Sequence, residues 1–177
     1  MKTDWIALRL LGQWSVELGL GSVLLRLALS LAFSAIIGCE RSSKRHSAGL
    51  RTFILVSLVG TGTMLIDQYL MLLYKSPLPV LSAAGVIGTA TLSSNSVLFS
   101  SKSQIKGLTT SVGLWCCGVL GMSVGAGFYT LSLMLFLSML ACMSGLPVLE
   151  KLLKDRSNHF EVHLELKNKG DLPDFVS

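Results

Sequence analysis

The sequence predicts an all-α membrane protein with five transmembrane helices, because its apolar residues form long blocks and its charges are confined to short stretches between them. Only 14% of the 177 residues are charged, whereas about a quarter is usual in a soluble domain. The mean hydropathy is +0.63, and the apolar blocks approach the roughly 20 residues that a helix needs to cross a bilayer. A chain of this length has room for one domain.

The predicted spans follow one another with short connections. An interfacial N-terminal helix is predicted at residues 1–15, because this apolar stretch is too short to cross a bilayer. The third span turns polar at Ser93–Ser96, so it has to be covered by other helices or line a hydrated cavity. The five-helix transmembrane domain covers residues 16–148, with spans at about 16–38, 52–73, 79–99, 108–125 and 128–146.

The Lys and Arg residues near the span ends set the predicted orientation. Nine of them lie in the first and third connections and at the start of the tail, against three on the opposite side. Because basic residues accumulate in cytoplasmic loops, we predict a periplasmic N-terminus and a cytoplasmic tail. This orientation requires an odd number of spans, which five satisfies.

The tail, residues 149–177, differs in composition from the rest of the chain. It begins as a charged amphipathic helix, and residues 159–168 then alternate strictly between apolar and polar side chains. Alternation with a period of two predicts a half-buried β-strand. A single strand is not stable alone, so it either adds to another chain or belongs to a larger cytoplasmic domain.

Composition and spacing argue against several classes of function. The net charge is +5, but the basic residues border the apolar blocks, where membrane topology needs them, so no nucleic-acid partner is expected. The four cysteines form no C-x-x-C pair or Cys/His cluster with metal spacing. Because the sequence also has no nucleophile–base pair, acidic dyad or phosphate loop, we expect neither an enzyme nor a cofactor.

Two motifs resemble the MgtC/SapB family. The run RLALSLAFSAIIGCERSSKRHSAGLRT, from Arg26 to Thr52, is similar to that family's R-L-x-x-x…G-x-x-I-G-x-E-R…A-G-L-R-T signature. The run IKGLTTSVGLWCCGVLGMSVGAGFY, from Ile105 to Tyr129, is similar to its later G-L-T-T…L-W…G-x-G-x-Y block. The third span, AAGVIGTATLSSNS, departs from the glycine-rich G-I-G-F-L-G-A-G pattern that is usual in the family.

The resemblance implies a multi-pass protein of the bacterial inner membrane that is linked to magnesium limitation, acid stress, virulence and intracellular survival. It also implies, for one branch of the family, an association with the ATP synthase, and it implies a cytoplasmic ACT-like domain. Together with rows of small residues in the predicted spans, which permit close helix contact, it leads us to expect a regulatory protein that acts by helix contacts with another membrane complex. The strand predicted in the tail would be the first of that domain. Membrane lipids and a second copy of the chain are the other expected partners.

The alternative function is a magnesium or other cation transporter or channel component, which Arg26, Asp67 and the polar third span favour. A charge at mid-bilayer costs ~2.5–3.5 kcal/mol on insertion scales and usually faces a partner inside the bundle. Arg26 and Asp67 differ in depth by only ~5 Å at ~1.5 Å per residue, so we hypothesise an ion pair between them. Otherwise, Arg26 pairs with backbone carbonyls or snorkels, and Asp67 reaches the outer interface.

Four residues of the first motif stand at the predicted cytoplasmic ends of the first two helices: Glu40, Arg41, Arg51 and Thr52. They are candidates for binding an ion, a headgroup or a partner. Positive-inside anchoring, with Glu40 paired locally to Arg41 or Arg51, is the structural alternative.

Gly107, Thr109 and Thr110 stand at the start of the fourth helix, where free backbone amides could hold an anion or a headgroup phosphate. Ordinary capping by a threonine is the alternative. Two rows of small residues predict helix packing faces, because small side chains permit close helix approach in membranes. These rows are Ser30, Ser34 and Gly38 in the first span, and Gly113, Cys117, Gly121 and Gly125 in the fourth.

Overall fold

The computed structural model describes residues 9, 12–15, 17–43, 48–75, 78–95, 98–99 and 105–155, and this part of the chain is a bundle of helices. Between the third and fourth long helices, β1 (Leu98–Phe99) and β2 (Ile105–Lys106) form one short antiparallel ladder. The helical elements are a 3-10 turn at Gln13–Ser15, α1 (Leu20–Ser43), α2 (Leu50–Tyr74), α3 (Val80–Asn95), α4 (Leu108–Gly125), α5 (Tyr129–Leu140), a π-helical turn at Ala141–Gly145, and α6 (Leu146–Asp155).

Four of the helices are long and apolar enough to cross a bilayer. They are α1, α2, α4 and the continuous helix Tyr129–Leu149, which combines α5, the π-helical turn and the start of α6. They correspond to the first, second, fourth and fifth predicted spans. The predicted third span is shorter than expected: α3 has 16 residues, about 24 Å at 1.5 Å per residue, and is not among the four.

Contacts along the helices fix their directions. Gly38, near the end of α1, lies against Leu50 at the start of α2, and Ser30 of α1 bonds to Thr61 further along α2. These two helices are therefore antiparallel. By contrast, α2 and α4 run parallel, because Gly121 lies on Ser57 and Gly125 lies on Thr61.

The parallel direction of α2 and α4 requires a return path between them. This path is α3, which packs against both neighbours: Ser82, near its start, lies beside Asp67, and Thr89, further along, lies on Gly118. The backbone therefore traverses the bundle five times, although four of the described helices have membrane-spanning length.

Glycines bring the α2 and α4 backbones into direct contact. A Cβ atom added to Gly60 would collide with the Gly118 carbonyl oxygen, and one added to Gly121 would collide with the Ser57 carbonyl oxygen. Backbone atoms cannot move aside as a flexible side chain can, so these positions tolerate no larger residue. Such contacts are the usual means by which helices associate in lipid, where no hydrophobic effect drives them together.

The interior is apolar at one end of the bundle and polar at the other. The apolar half contains the stacked rings of Phe33 and Phe136, whose centroids are 4.6 Å apart. It is built from α1, α2, α4 and the α5 helix: Ile37, Ala48, Phe53, Leu114, Cys117, Leu120, Phe136 and Met143. The polar half begins at Ser30 and continues to the end of the bundle where Arg26 lies.

Two predicted elements fall mostly or wholly outside the described residues. The strand predicted at 159–168 is one of them, together with the rest of the tail beyond Asp155. The interfacial helix predicted at 1–15 is the other, and in its described part the 3-10 turn Gln13–Ser15 ends the segment.

We expect Gly121→Ala to destabilise the protein by about 1–3 kcal/mol, because the added methyl group overpacks a backbone contact. Gly88→Ala is the matched control: Gly88 is helical and exposed, and an added Cβ would meet no atom within 4 Å. This control should gain about 0.5–1 kcal/mol from the better helix propensity of alanine. Thermal unfolding in detergent, followed by circular dichroism, measures both; equal melting temperatures would contradict the packing described.

Candidate functional site

One face of α1 carries polar side chains into the bundle. In a chain surrounded by lipid, polar groups turn toward the interior, where other protein groups replace the missing water. The pattern repeats every three or four residues, so these side chains form a single column along the helix. Its buried polar members are Ser22, Arg26, Ser30, Ser34 and Arg41.

Arg26 is the largest fully buried side chain, with 1% of its surface exposed. Its Nη1 donates to Gln68 Oε1 at 2.7 Å and to the Gly125 carbonyl at 2.8 Å. Its Nη2 donates to the Ser15 carbonyl at 3.3 Å, and its Nε to the Tyr129 hydroxyl at 3.4 Å. The guanidinium thus links α1 to α2, to the α4–α5 turn and to the N-terminal 3-10 turn.

The Ser15 carbonyl is a second centre of this cluster. It accepts hydrogen bonds from Ser22 Oγ at 2.8 Å, from the Tyr129 hydroxyl at 2.9 Å and from Arg26 Nη2. The α4–α5 turn can approach so closely because Gly127 has a φ of +82° and lacks a Cβ, which would lie 3.0 Å from Arg26 Nη2. We call Ser15, Arg26, Gln68 and Tyr129 the arginine cluster.

Asp67 is 2% exposed and binds the start of α3. Its Oδ1 accepts from the Leu81 amide at 3.0 Å, and its Oδ2 accepts from the Ser82 amide. The first amides of a helix have no partner within the helix, so Asp67 of α2 caps its neighbour. The hypothesis of an Arg26–Asp67 ion pair is therefore wrong, because within the described residues each side chain bonds to other groups. Arg26 bonds to backbone carbonyls, as the alternative hypothesis stated.

Hydroxyl groups continue the polar column from the arginine cluster toward the middle of the bundle. Ser30 Oγ and Ser57 Oγ are 2.8 Å apart, and Thr61 Oγ1 lies 2.7 Å from Ser30 Oγ. Thr61 also donates to the Gly121 carbonyl at 2.9 Å, and Ser34 donates to the Ser30 carbonyl. These hydroxyls join α1, α2 and α4.

A charged pair, Glu40 and Arg41, lies at the end of α1 opposite to Arg26. Arg41 is 3% exposed, and its Nε lies 3.1 Å from Glu40 Oε2, so Glu40 pairs locally. Arg41 Nη2 also donates to the Met143 carbonyl at 3.3 Å. Met143 belongs to the π-helical turn, where the helical hydrogen-bond register is shifted. Arg26 and Arg41 are separated by about 22 Å along the helix at 1.5 Å per residue.

The other predicted polar residues lie at that same end without joining one cluster. Arg51 and Thr52 are exposed in the first turn of α2, where Thr52 donates to the Gly49 carbonyl at 2.8 Å. Gly107 precedes α4 with a φ of +87°, and no side chain caps this helix. Thr109 is exposed and Thr110 is buried, so neither is the capping residue.

The two predicted rows of small residues lie at contacts within the chain. Gly38 lies against the α2 backbone at Leu50, and Ser30 and Ser34 lie in the polar column. On α4, Cys117 Sγ donates to the Phe53 carbonyl at 3.6 Å. The three glycines of that row contact Met143 and Phe53 (Gly113), Ser57 (Gly121) and Thr61 (Gly125).

Sequence analysis missed most partners of the arginine cluster. Gln68 is a polar residue inside an apolar helix and adjoins Asp67, which was the available signal. Ser57 and Thr61 are four residues apart with Gly60 between them, the same spacing that marked the rows in α1 and α4. Ser15 carries no signal, because its backbone carbonyl is the group that binds.

Comparison with known proteins bears on this arrangement. The MgtC family model matches residues 27–152, which include Asp67, Glu40 and the whole of α2 to α5. The chain belongs to the MgtC family. Together with its four apolar helices, this makes it a multi-pass membrane protein.

Three relatives illustrate the similarity. The chain is 27% identical over 156 residues to protein SapB of Bacillus subtilis (strain 168), a match covering 81% of this chain and 65% of SapB. It is 30% identical over 116 residues to YhiD of Escherichia coli (strain K12), whose name proposes a magnesium transporter, covering 62% of this chain and 54% of YhiD. It is 33% identical over 101 residues to protein MgtC of Brucella abortus (strain 2308), covering 57% of this chain and 41% of that protein.

The chain therefore spans about two fifths to two thirds of the length of these relatives of the MgtC family. No solved structure matches it.

We expect Tyr129→Phe to destabilise the bundle by about 1–3 kcal/mol, because Arg26 Nε loses an acceptor and the Ser15 carbonyl loses a donor. Tyr74→Phe removes the same hydroxyl from a side chain that is 71% exposed and should change stability by less than about 0.5 kcal/mol. Unfolding in detergent compares the two variants. A Tyr129→Phe protein as stable as the Tyr74→Phe protein would show that the cluster contributes nothing.

We expect Asp67→Ala to expose the start of α3, since the amides of Leu81 and Ser82 would each lose a hydrogen bond, at a cost of about 1–3 kcal/mol for the buried Ser82 amide. Hydrogen exchange at Leu81 and Ser82 should accelerate, whereas Thr91→Ala, at an exposed site on α3, should leave it unchanged. The exchanged pair Arg26→Asp with Asp67→Arg should not recover protection. Recovery of protection in that double variant would restore the ion-pair hypothesis.

Proposed function

We propose that this MgtC-family chain is a regulatory protein of the bacterial inner membrane that acts through helix contacts with another membrane complex. The ATP synthase is the complex that the family resemblance suggests, and magnesium limitation, acid stress, virulence and intracellular survival are the associated conditions. The observation that carries the proposal is the closed interior of the bundle, whose polar groups bind one another.

The polar column is a poor route for a cation. The hydroxyls of Ser30, Ser57 and Thr61 bond to one another or to backbone carbonyls. At one end of the column the positive charge of Arg26 would repel an approaching cation, as an arginine does in selective pores. Contact between the α2 and α4 backbones at Gly60 and Gly121 leaves no space between these helices.

The outer face of α3 is the surface best suited to a partner helix. The small-residue rows of α1 and α4 are used inside the chain, whereas Ala84 and Gly88 are exposed on α3, four residues apart. A Cβ added to Gly88 would meet no atom within 4 Å. Because small residues allow helices to approach closely in lipid, Ala84 and Gly88 support contact with a partner or with a second copy of the chain.

The remaining features of the proposal concern topology. We propose that α3 makes the fifth crossing of the membrane, so that the N-terminus is periplasmic and the tail is cytoplasmic, as the distribution of Lys and Arg residues favours. The tail strand would then begin an ACT-like domain in the cytoplasm.

A magnesium or other cation transporter or channel component is the second candidate. The continuous run of buried hydroxyls from Ser30 to Thr61 favours it, and so does the name of YhiD. Transport would require the polar column to open, because the hydroxyl hydrogen bonds and the contact between the α2 and α4 backbones close the interior of the described residues.

Crosslinking in native membranes under magnesium starvation tests the regulatory proposal. We expect a defined partner band, its yield reduced about tenfold by Gly88→Leu, because the larger side chain holds the helices apart by the few ångströms that abolish close packing. Ile87→Leu, at a neighbouring site that is 67% exposed, is the control and should keep the yield.

Magnesium flux into proteoliposomes distinguishes the two candidates. The purified chain should give no uptake beyond that of protein-free vesicles. Robust uptake, or a partner yield that is unaffected by Gly88→Leu, would contradict the regulatory proposal.

A further inference from the structure

An apolar groove of about 610 Å³ lies on the outer surface between α4 and the long helix of α5. One wall is α4 from Leu108 to Val119, and the other is formed by α5, the π-helical turn and Leu146. Both helices are of membrane-spanning length and composition, so the groove opens toward acyl chains and not toward water.

Two small or flexible residues create the concave floor. Gly113 has no side chain, and Met143 from the π-helical turn occupies the space where its Cβ would be. Cys116 and Ser138 line the groove from opposite walls, and larger residues at these two positions would fill it. The groove is therefore lined by residues that belong neither to the arginine cluster nor to the outer face of α3.

The length of the groove matches one leaflet of a bilayer. From Leu108 to Val119 the α4 wall rises about 16 Å at 1.5 Å per residue, which is about half of the ~30 Å hydrocarbon core. The groove thus starts at the end of the bundle and stops near its middle. One acyl chain of one leaflet has this extent.

The residues that line the groove are almost all apolar, so they match the methylene groups of an acyl chain. A second copy of the chain that covers the opening is the alternative occupant, and the test below distinguishes it.

The charge at the open end favours an anionic headgroup. The α4 helix starts here with no side-chain cap, so its first amides present a partial positive charge. Lys106 stands two residues before this helix in the sequence, and Thr109, an exposed residue, lines the opening. The partial positive charge at the start of α4 and the cationic residue Lys106 both favour an anionic headgroup.

We propose that this groove is a binding site for an anionic phospholipid, with one acyl chain between α4 and α5 and the headgroup at the start of α4. The site is occupied from the leaflet that faces the Arg41 end of the bundle. Its ligand is bound by shape and by charge at once, which distinguishes it from the lipid that surrounds the convex helix faces.

Quenching of Trp115, which lines the groove, tests the proposal. The chain has three tryptophans, so Trp5→Phe with Trp14→Phe leaves Trp115 as the single fluorophore. The full chain is reconstituted in phosphatidylcholine vesicles containing phosphatidylglycerol or phosphatidylcholine with dibrominated acyl chains. The matched control carries Trp115→Phe together with Leu55→Trp, so that its single tryptophan lies outside the groove. Leu55 is 61% exposed on α2. It lies near the same depth as Trp115, because its neighbour Phe53 contacts Gly113 and Cys117 of α4.

We expect brominated phosphatidylglycerol to bind near Trp115 about fivefold more strongly than brominated phosphatidylcholine, the preference that one basic group near the surface provides. At position 55 the two lipids should quench equally. Filling the groove with Cys116→Phe and Ser138→Phe should abolish the preference at Trp115. The proposal would be overturned by equal quenching of Trp115 by both lipids, or by an unchanged preference in the filled variant. Weak quenching by both lipids in a chain that sediments as a dimer would also overturn it, because a second copy would then cover the groove.

Discussion

The Arg26 side chain is buried among the helices, with 1% of its surface exposed, and this burial organises one half of the bundle. A charged group in lipid has to find its hydrogen-bond partners within the protein. Arg26 of α1 finds partners on three other segments, so α2, the α4–α5 turn and the N-terminal 3-10 turn cannot separate from α1 without leaving a buried charge unsatisfied. The same condition places the hydroxyls of Ser30, Ser57 and Thr61 against each other. Polar contacts here take the role that apolar burial plays in a soluble core.

The two halves of the interior are stabilised by different means. Around Phe33 and Phe136, apolar side chains fill the space between helices. Toward Arg26, glycines bring the α2 and α4 backbones into contact. Hydrogen bonds such as that from Thr61 to the Gly121 carbonyl then join these two helices. A fold of this kind has little tolerance for added volume at Gly60 or Gly121, yet accepts it on the outer surface at Gly88. This difference separates residues that maintain the bundle from residues that remain accessible to a partner.

Sequence patterns predicted the helices well, because lipid requires long apolar segments and confines charges to their ends. They also predicted the family and the inward direction of Arg26. They did not predict which groups Arg26 binds, since depth along a helix gives the level of a residue and not the direction in which it points. Asp67 lies near the level of Arg26 but faces α3, and Gln68, one residue later, faces Arg26. The partners at Ser15 and Gly125 are backbone carbonyls, and a sequence contains no signal for these.

The cap that Asp67 provides for α3 has a consequence for the order of assembly. A helix of 16 residues with polar positions enters lipid poorly by itself, and its first amides would be unsatisfied there. Asp67 precedes α3 in the chain, so synthesis delivers the acceptor before the helix that needs it. The later arrival of α4 then covers Thr89 on the other side. The shortest of these helices is thus placed between two longer ones, and a nascent chain halted before α4 would hold α3 only by its contacts with α2, with the Asp67 carboxylate at its start.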